Sequence, residues 1–210
     1  LACLYTGTFG SFIGFAAVFP ILLYALYPQS EMIQWAFVGP LLGAMIRPLG
    51  GWLSDRVGGA RVTFWNFAVM AIAATGLLLS LPAGPGGGDA SGFFLVAMVL
   101  FLTAGVGNGS VFHVVPAVFR KLHQGWAASG SEAAREASIS TGEIEASVAL
   151  GFTASIAALG MFIIPALVAV SIENTGSPRL ALFIFIAFYL ACVFVTWWWY
   201  RRRGAEVRCD

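Results

Sequence analysis

The first 30 residues of this chain carry no charged side chain, and five further apolar runs follow, one of them interrupted by a single arginine. Each run is long enough for one membrane-spanning helix of about 20 residues. Six such helices take up about 120 positions and leave roughly 90 of the 210 for loops and ends. Composition agrees: 59% of the residues are apolar and 10% charged, with a mean hydropathy of +0.86. A soluble domain carries about 25% charged residues. A water-soluble enzyme, a disordered chain and a disulfide-stapled fold are all excluded. The near balance of 11 basic and 10 acidic residues gives no reason to expect nucleic acid as a partner. Cys3, Cys192 and Cys209 have no metal-ligand spacing, so neither zinc nor a disulfide framework is implied.

The expected architecture is all-α, a six-helix transmembrane domain over residues 1–204. Its spans fall at about 1–27, 32–54, 62–82, 91–119, 146–172 and 179–200, with a loop at 121–145 and a tail at 205–210. Basic residues set the orientation. Arg56, Arg61, Arg120, Lys121, Arg135, Arg201, Arg202, Arg203 and Arg208 lie on one side, and Arg179 stands alone in the opposite loops. The first side is therefore expected to be cytoplasmic, with the loop, the tail and the C-terminus inside. Leu1 opens within an apolar run, without an initiator Met or a basic n-region, so the start is not a signal peptide and reads as a chain beginning partway through. A Gly/Pro-rich turn is expected at 83–88. In the 121–145 loop, Glu132, Arg135 and Glu136 have helical spacing. Ser140 and Glu143 read as a capping box that opens the fifth helix. The loop's four glutamates read as a solvated helix, with a cation site as the alternative.

One charge remains inside the membrane. Arg47 lies eight residues before Asp55, about 12 Å deeper along a helix, and half the hydrocarbon core is about 15 Å. An arginine there costs at least about 2.5–3.5 kcal/mol, and no acid lies in any span to neutralise it. One reading is a guanidinium capping carbonyls of a neighbouring helix. The other is that the counter-ion is a ligand, a small anion, for which a planar, forked and permanently charged group is suited. Pro48 weakens the helix around 44–47. Glycines recur at 7, 10 and 14, at 105, 107 and 109, and at 151 and 160. Most serve close helix contact, and some can let backbone approach an anion. His113 is the only group in the spans that titrates near neutral pH, and a hydrogen-bonded polar role suits it better than proton coupling. No catalytic carboxylate pair, triad or cofactor loop appears, so neither an enzyme nor a bound cofactor or metal is expected.

Gly51, Asp55, Arg56, Gly58 and Arg61, in the stretch GWLSDRVGGAR, resemble the signature loop of the major facilitator superfamily. In that superfamily the loop acts as a cytoplasmic gate latch. Locally, Asp55 can accept hydrogen bonds from a helix N-terminus, Gly58 and Gly59 permit a tight turn, and the arginines can latch onto carboxylates or carbonyls. More specific stretches are GTFGSFIGF at 7–15, GAMIRPLGG at 43–51, FLTAGVGNGS at 101–110, ALGF at 149–152, FIIP at 162–165 and TGSP at 175–178. Together they resemble the second half, helices seven to twelve, of the bacterial nitrate/nitrite porter family. The resemblance implies that Arg47 is the substrate-binding arginine, Tyr5 a hydroxyl donor to the anion and Phe9 an aromatic wall. It implies that 151–162 is the nitrate signature helix, with Gly151 and Gly160 retained and Ala157 and Met161 where glycines are common. It also implies a bacterial inner-membrane carrier of nitrate and nitrite that needs an N-terminal six-helix half. The expected mode is nitrate/nitrite antiport. Nitrate/proton symport is the alternative, as is a non-transporting fragment or membrane subunit.

Overall fold

The structure is a computed structural model that describes residues 2–82, 88–126 and 132–201. Among these residues six helices are long and apolar enough to cross a membrane. They are α1 (Ala2–Leu26), α2 (Glu31–Val57), α3 (Gly59–Leu79), α4 (Ala90–Trp126), α5 (132–175) and α6 (179–201). The tail at 205–210 and most of the turn at 83–88 lie outside the described residues, as do the side chains of Glu132, Arg135 and Glu136.

Local chemistry explains the joints. Gly58 has φ +97°, a conformation that a residue with a Cβ rarely adopts, and it turns the chain from α2 into α3 in one residue. Gly176, at φ +68°, caps α5 through its amide on the Ile172 carbonyl. At one end of the bundle the Tyr27 hydroxyl donates to the Ser80 carbonyl at 2.7 Å, tying the end of α1 to the end of α3.

The helix expected to open at a capping box around Ser140 begins instead at Glu132 and runs unbroken to Ala158. The helix-forming run Glu-Ala-Ala-Arg-Glu-Ala carries it upstream, so Ser140 sits mid-helix with no orphan amides to cap. The 121–145 segment is thus largely the meeting of α4 and α5. Buried His123 joins them, with Nε2 2.9 Å from Glu145 and its carbonyl accepting from Ser138. Among the described residues no group of three potential metal ligands forms.

α3 lies inside the bundle, packed between α4 and α6 around Phe67, Met70 and Tyr189, all fully buried. α4 is the hub and touches both parts of α2, α3 and the first part of α5. Half of the apolar window of α1 and of α3 is buried, against 28% for α2 and α5. The last two therefore show most of their surface to the outside. Ile72, Leu79, Leu95, Val148 and Phe162 all point outward. Apolar patches of that extent on the outside require an apolar medium or a partner.

Candidate functional site

Two helices lose their regularity at the same place. α2 breaks at Ile46, between Val38–Met45 and Arg47–Val57. Pro48 has no amide hydrogen to give the Ala44 carbonyl, and this is the weak point expected from sequence. α1 carries a π-helical turn over Thr6–Gly10, stabilised by the Thr8 hydroxyl on the Leu4 and Tyr5 carbonyls. The turn contains Phe9 and follows Tyr5. π-turns and broken spanning helices re-aim side chains and backbone, and they concentrate where a ligand is held.

α4 approaches α2 with backbone rather than side chains. A Cβ on Gly105 would strike the Gly43 carbonyl, one on Gly109 the Arg47 carbonyl, and one on Gly50 the Val106 carbonyl. Close contact therefore accounts for these glycines. Gly107 likewise leaves room for the Asn66 amide and the Thr8 methyl. The result is a rigid crossing with Arg47 at its edge.

Beside the crossing lies an open cavity of about 300 Å³ on which Tyr5, Arg47, Gly51, Asn108, Phe112 and His113 meet. Among the described residues no carboxylate lines it. The Arg47 guanidinium stands over the Phe12 ring at 4.4 Å and the Phe9 ring at 5.7 Å. Phe9 in turn stacks on Tyr5 at 5.4 Å. The ring faces offer partial compensation for a cation out of water, but the guanidinium stays under-bonded. Its Nε is buried with no hydrogen-bond partner, and Arg47 forms no ion pair among the described residues. Among the described residues Arg47 makes no hydrogen bond to a carbonyl of a neighbouring helix. Asn108 Oδ1 is the other buried side-chain polar atom left without a partner among the described residues. Buried polar atoms are nearly always satisfied, so two orphans on residues that line one cavity call for a partner there, an ion or a water. The Tyr5 hydroxyl also makes no hydrogen bond among the described residues.

Tyr5, Phe9 and Arg47 are thus brought together, and buried Gly51 also lines the cavity. Gly51 is bare because the His113 ring lies against it, with Nε2 at 2.5 Å from where a Cβ would stand. Gly151 and Gly160 do not line this cavity. Gly160 is buried against the backbone of Gly10, and Gly151 is exposed with nothing within 4 Å of a Cβ there. Ala157, where the family resemblance has a glycine, is fully buried with its carbonyl against Gly10, so the bare residue sits on the opposite helix.

Asp55, Arg56, Gly58 and Arg61 of the signature loop border a second cavity of about 430 Å³, together with His113. Asp55 is held by His113 Nδ1 at 3.2 Å rather than by a helix N-terminus. Arg56 lies over the Trp52 ring at 4.4 Å, and neither Arg56 nor Arg61 forms an ion pair among the described residues. His113 lines both cavities and is the physical link between them. Sequence reasoning assigned no role to Asn108, Phe12 or Phe112. Asn108, Gly109, Phe112 and His113 follow one another at helical i, i+1, i+4, i+5 spacing, and that stripe was the available signal.

Fold and cavity define the class first: a polytopic α-helical membrane protein with an under-bonded arginine beside a cavity within its spans. No protein-family model matches the chain. Sequence similarity is more specific. The chain is 47% identical to the nitrate/nitrite transporter NarU of Salmonella typhimurium, over 97% of its own length and 44% of that protein's. It is 43% identical to NarU of Escherichia coli, again over 97% and 44%. It is 34% identical to the probable nitrate/nitrite antiporter NarK2 of Thermus thermophilus, over 100% and 43%. The chain belongs to the nitrate/nitrite porter family and corresponds to one half of such a protein. It spans a little under half the length of these relatives, as expected for six helices of a twelve-helix major facilitator carrier. The named relatives are transporters, not enzymes.

Proposed function

We propose that this chain is the C-terminal half of a nitrate/nitrite carrier of the bacterial inner membrane. It works by alternating access as a nitrate/nitrite antiporter, with Arg47 binding the anion. The observation that carries this reading is Arg47, whose buried Nε has no hydrogen-bond partner and which lines an open cavity with no carboxylate among its described lining residues. An anion supplies the missing counter-charge, and a planar oxyanion matches the fork of the guanidinium. The free Tyr5 hydroxyl donates to it, and Phe9 stacks behind. The C-terminus is cytoplasmic, in keeping with the basic residues gathered on that side. The loop of Gly51, Asp55, Arg56, Gly58 and Arg61 then forms a cytoplasmic gate. The site is completed by an N-terminal six-helix half, which covers the exposed faces of α2 and α5. Gly151 is the α5 glycine with room for an anion or that half to approach. Gly160 holds α5 against α1. Neither nucleic acid nor a cofactor takes part.

The test is exchange by a full-length carrier containing this half, reconstituted in liposomes loaded with nitrite. External nitrate should enter without a pH gradient. Arg47→Lys should lower that uptake at least about 100-fold despite keeping the charge, since a point charge cannot replace bidentate binding. Normal uptake by the lysine variant would remove the role of Arg47. One observation favours a second reading, nitrate/proton symport: His113 lines the anion cavity and holds Asp55. Strict dependence of uptake on a proton gradient would establish that reading in place of antiport.

A further inference from the structure

We propose that Asn108 is an anion-recognising residue, presenting its carboxamide NH2 to an oxygen of the planar oxyanion held by Arg47. The inference rests on the anion-site reading above and extends it to a residue to which the family resemblance gave no role.

Asn108 is only 4% exposed, yet its Oδ1 has no partner, and it shares a cavity with the other orphan, Arg47 Nε. The two do not satisfy each other, although one is a donor and the other an acceptor. The buried orphan is the oxygen, and the carboxamide NH2 is not among the buried unpartnered atoms, so the side chain can offer a donor to the cavity without moving the backbone. Nitrate and nitrite are acceptors only, so the bound form presents the NH2.

The neighbours of Asn108 fix its place. Gly107 beds α4 on Asn66 and Thr8, and Gly109 beds it on the Arg47 carbonyl. Its Cα is therefore pinned between a close contact to two side chains and a close contact to the backbone of Arg47. Three helices then contribute one group each: Tyr5 from α1, Arg47 from α2 and Asn108 from α4. Three donors spread around one cavity suit the separate oxygens of a trigonal anion better than a spherical ion. A neutral residue is required here. A carboxylate at this position would pair with Arg47 and take the place of the ligand.

The experiment measures nitrate affinity by isothermal titration on the purified full-length carrier containing this half, for wild type, N108L and N108D. Thermal unfolding without nitrate is followed in parallel. N108L should weaken nitrate binding about tenfold or more while the ligand-free unfolding midpoint holds. N108D is nearly isosteric and serves where N108L does not fold. It should bind nitrate weakly at neutral pH and regain affinity as pH falls and the new carboxylate is protonated. A purely structural asparagine would create no such pH dependence. Wild-type affinity in N108L, or pH-independent wild-type affinity in N108D, overturns the inference and leaves the Arg47 site standing. Absence of nitrate binding by the wild type overturns the anion-site reading and this inference with it.

Discussion

Two glycine crossings hold this bundle together, and only one borders a charge. Where α1 meets α5, Gly10 faces the Ala157 carbonyl and Gly14 the Gly160 carbonyl, and Tyr189 donates to Ser11 nearby. Where α2 meets α4, Gly105 and Gly109 face the carbonyls of Gly43 and Arg47. The contact chemistry is the same, since small residues in an apolar medium let helices touch along their backbones. The first crossing is closed and satisfied. Helix irregularities lie beside both, the π-turn Thr6–Gly10 and the break at Leu159 at the first and the break at Ile46 at the second, but only the second has an arginine at its edge and two orphaned polar atoms on residues of the cavity it flanks. A glycine pattern therefore reports close packing, and the unsatisfied polar atoms distinguish a site from a seam.

Alanine at each crossing separates the two roles. A methyl at Gly109 would fall on the Arg47 carbonyl, and backbone cannot turn aside as a side chain can. Overpacking of this kind costs about 1–3 kcal/mol. The relief must come from moving the residue that holds the anion, and a misplacement of about 1 Å can cost about 100-fold in rate. Gly109→Ala should therefore lose both stability and at least about 100-fold of nitrate exchange. Gly14→Ala meets the Gly160 carbonyl and the Ile164 side chain. It should lower the unfolding temperature comparably, yet leave nitrate affinity near wild type in the protein that folds. Equal loss of affinity in both variants, measured by titration, would erase the distinction between the crossings.

Tyr5→Phe probes the cavity without touching either crossing. It keeps the ring that stacks on Phe9 and removes only the hydroxyl, which makes no hydrogen bond among the described residues. Stability should hold while nitrate affinity falls by about 1.5–3 kcal/mol, the value of a hydrogen bond to a charged group. Unchanged affinity in a binding assay would take the hydroxyl off the anion.

The helices were legible because a bilayer leaves so little choice. Uncharged runs of spanning length must become helices, and the one charge inside them must have a reason. Arg47, the break before Pro48 and the turn at Gly58 follow from single residues with strong local rules. What sequence could not show was pairing across helices. Asp55 was free to take a helix N-terminus until the fold placed His113 beside it. Asn108 looked like one more small polar residue in a glycine run, and its missing partner exists only in three dimensions. The Ser140–Glu143 motif had the right letters for a cap but the wrong neighbours, because helix formers upstream had already begun the helix.

Gly151 gives the smallest expected effect on the fold and the sharpest test of why a glycine is present. At Gly109 packing and function demand a bare backbone together, so loss of one cannot be told from loss of the other. Gly151 lies on α5 with nothing within 4 Å of an added Cβ, so within this half a methyl meets no resistance. Alanine also stabilises a helix by up to about 1 kcal/mol over glycine. Gly151→Ala should therefore leave the unfolding temperature unchanged or slightly raised. If an anion or a second six-helix half approaches the backbone here, nitrate exchange should still fall several-fold, the opposite sign from stability. Exchange equal to wild type, measured in the same liposomes, would make Gly151 an ordinary outward-facing residue and leave the α2–α4 crossing as the sole glycine contact bordering the anion.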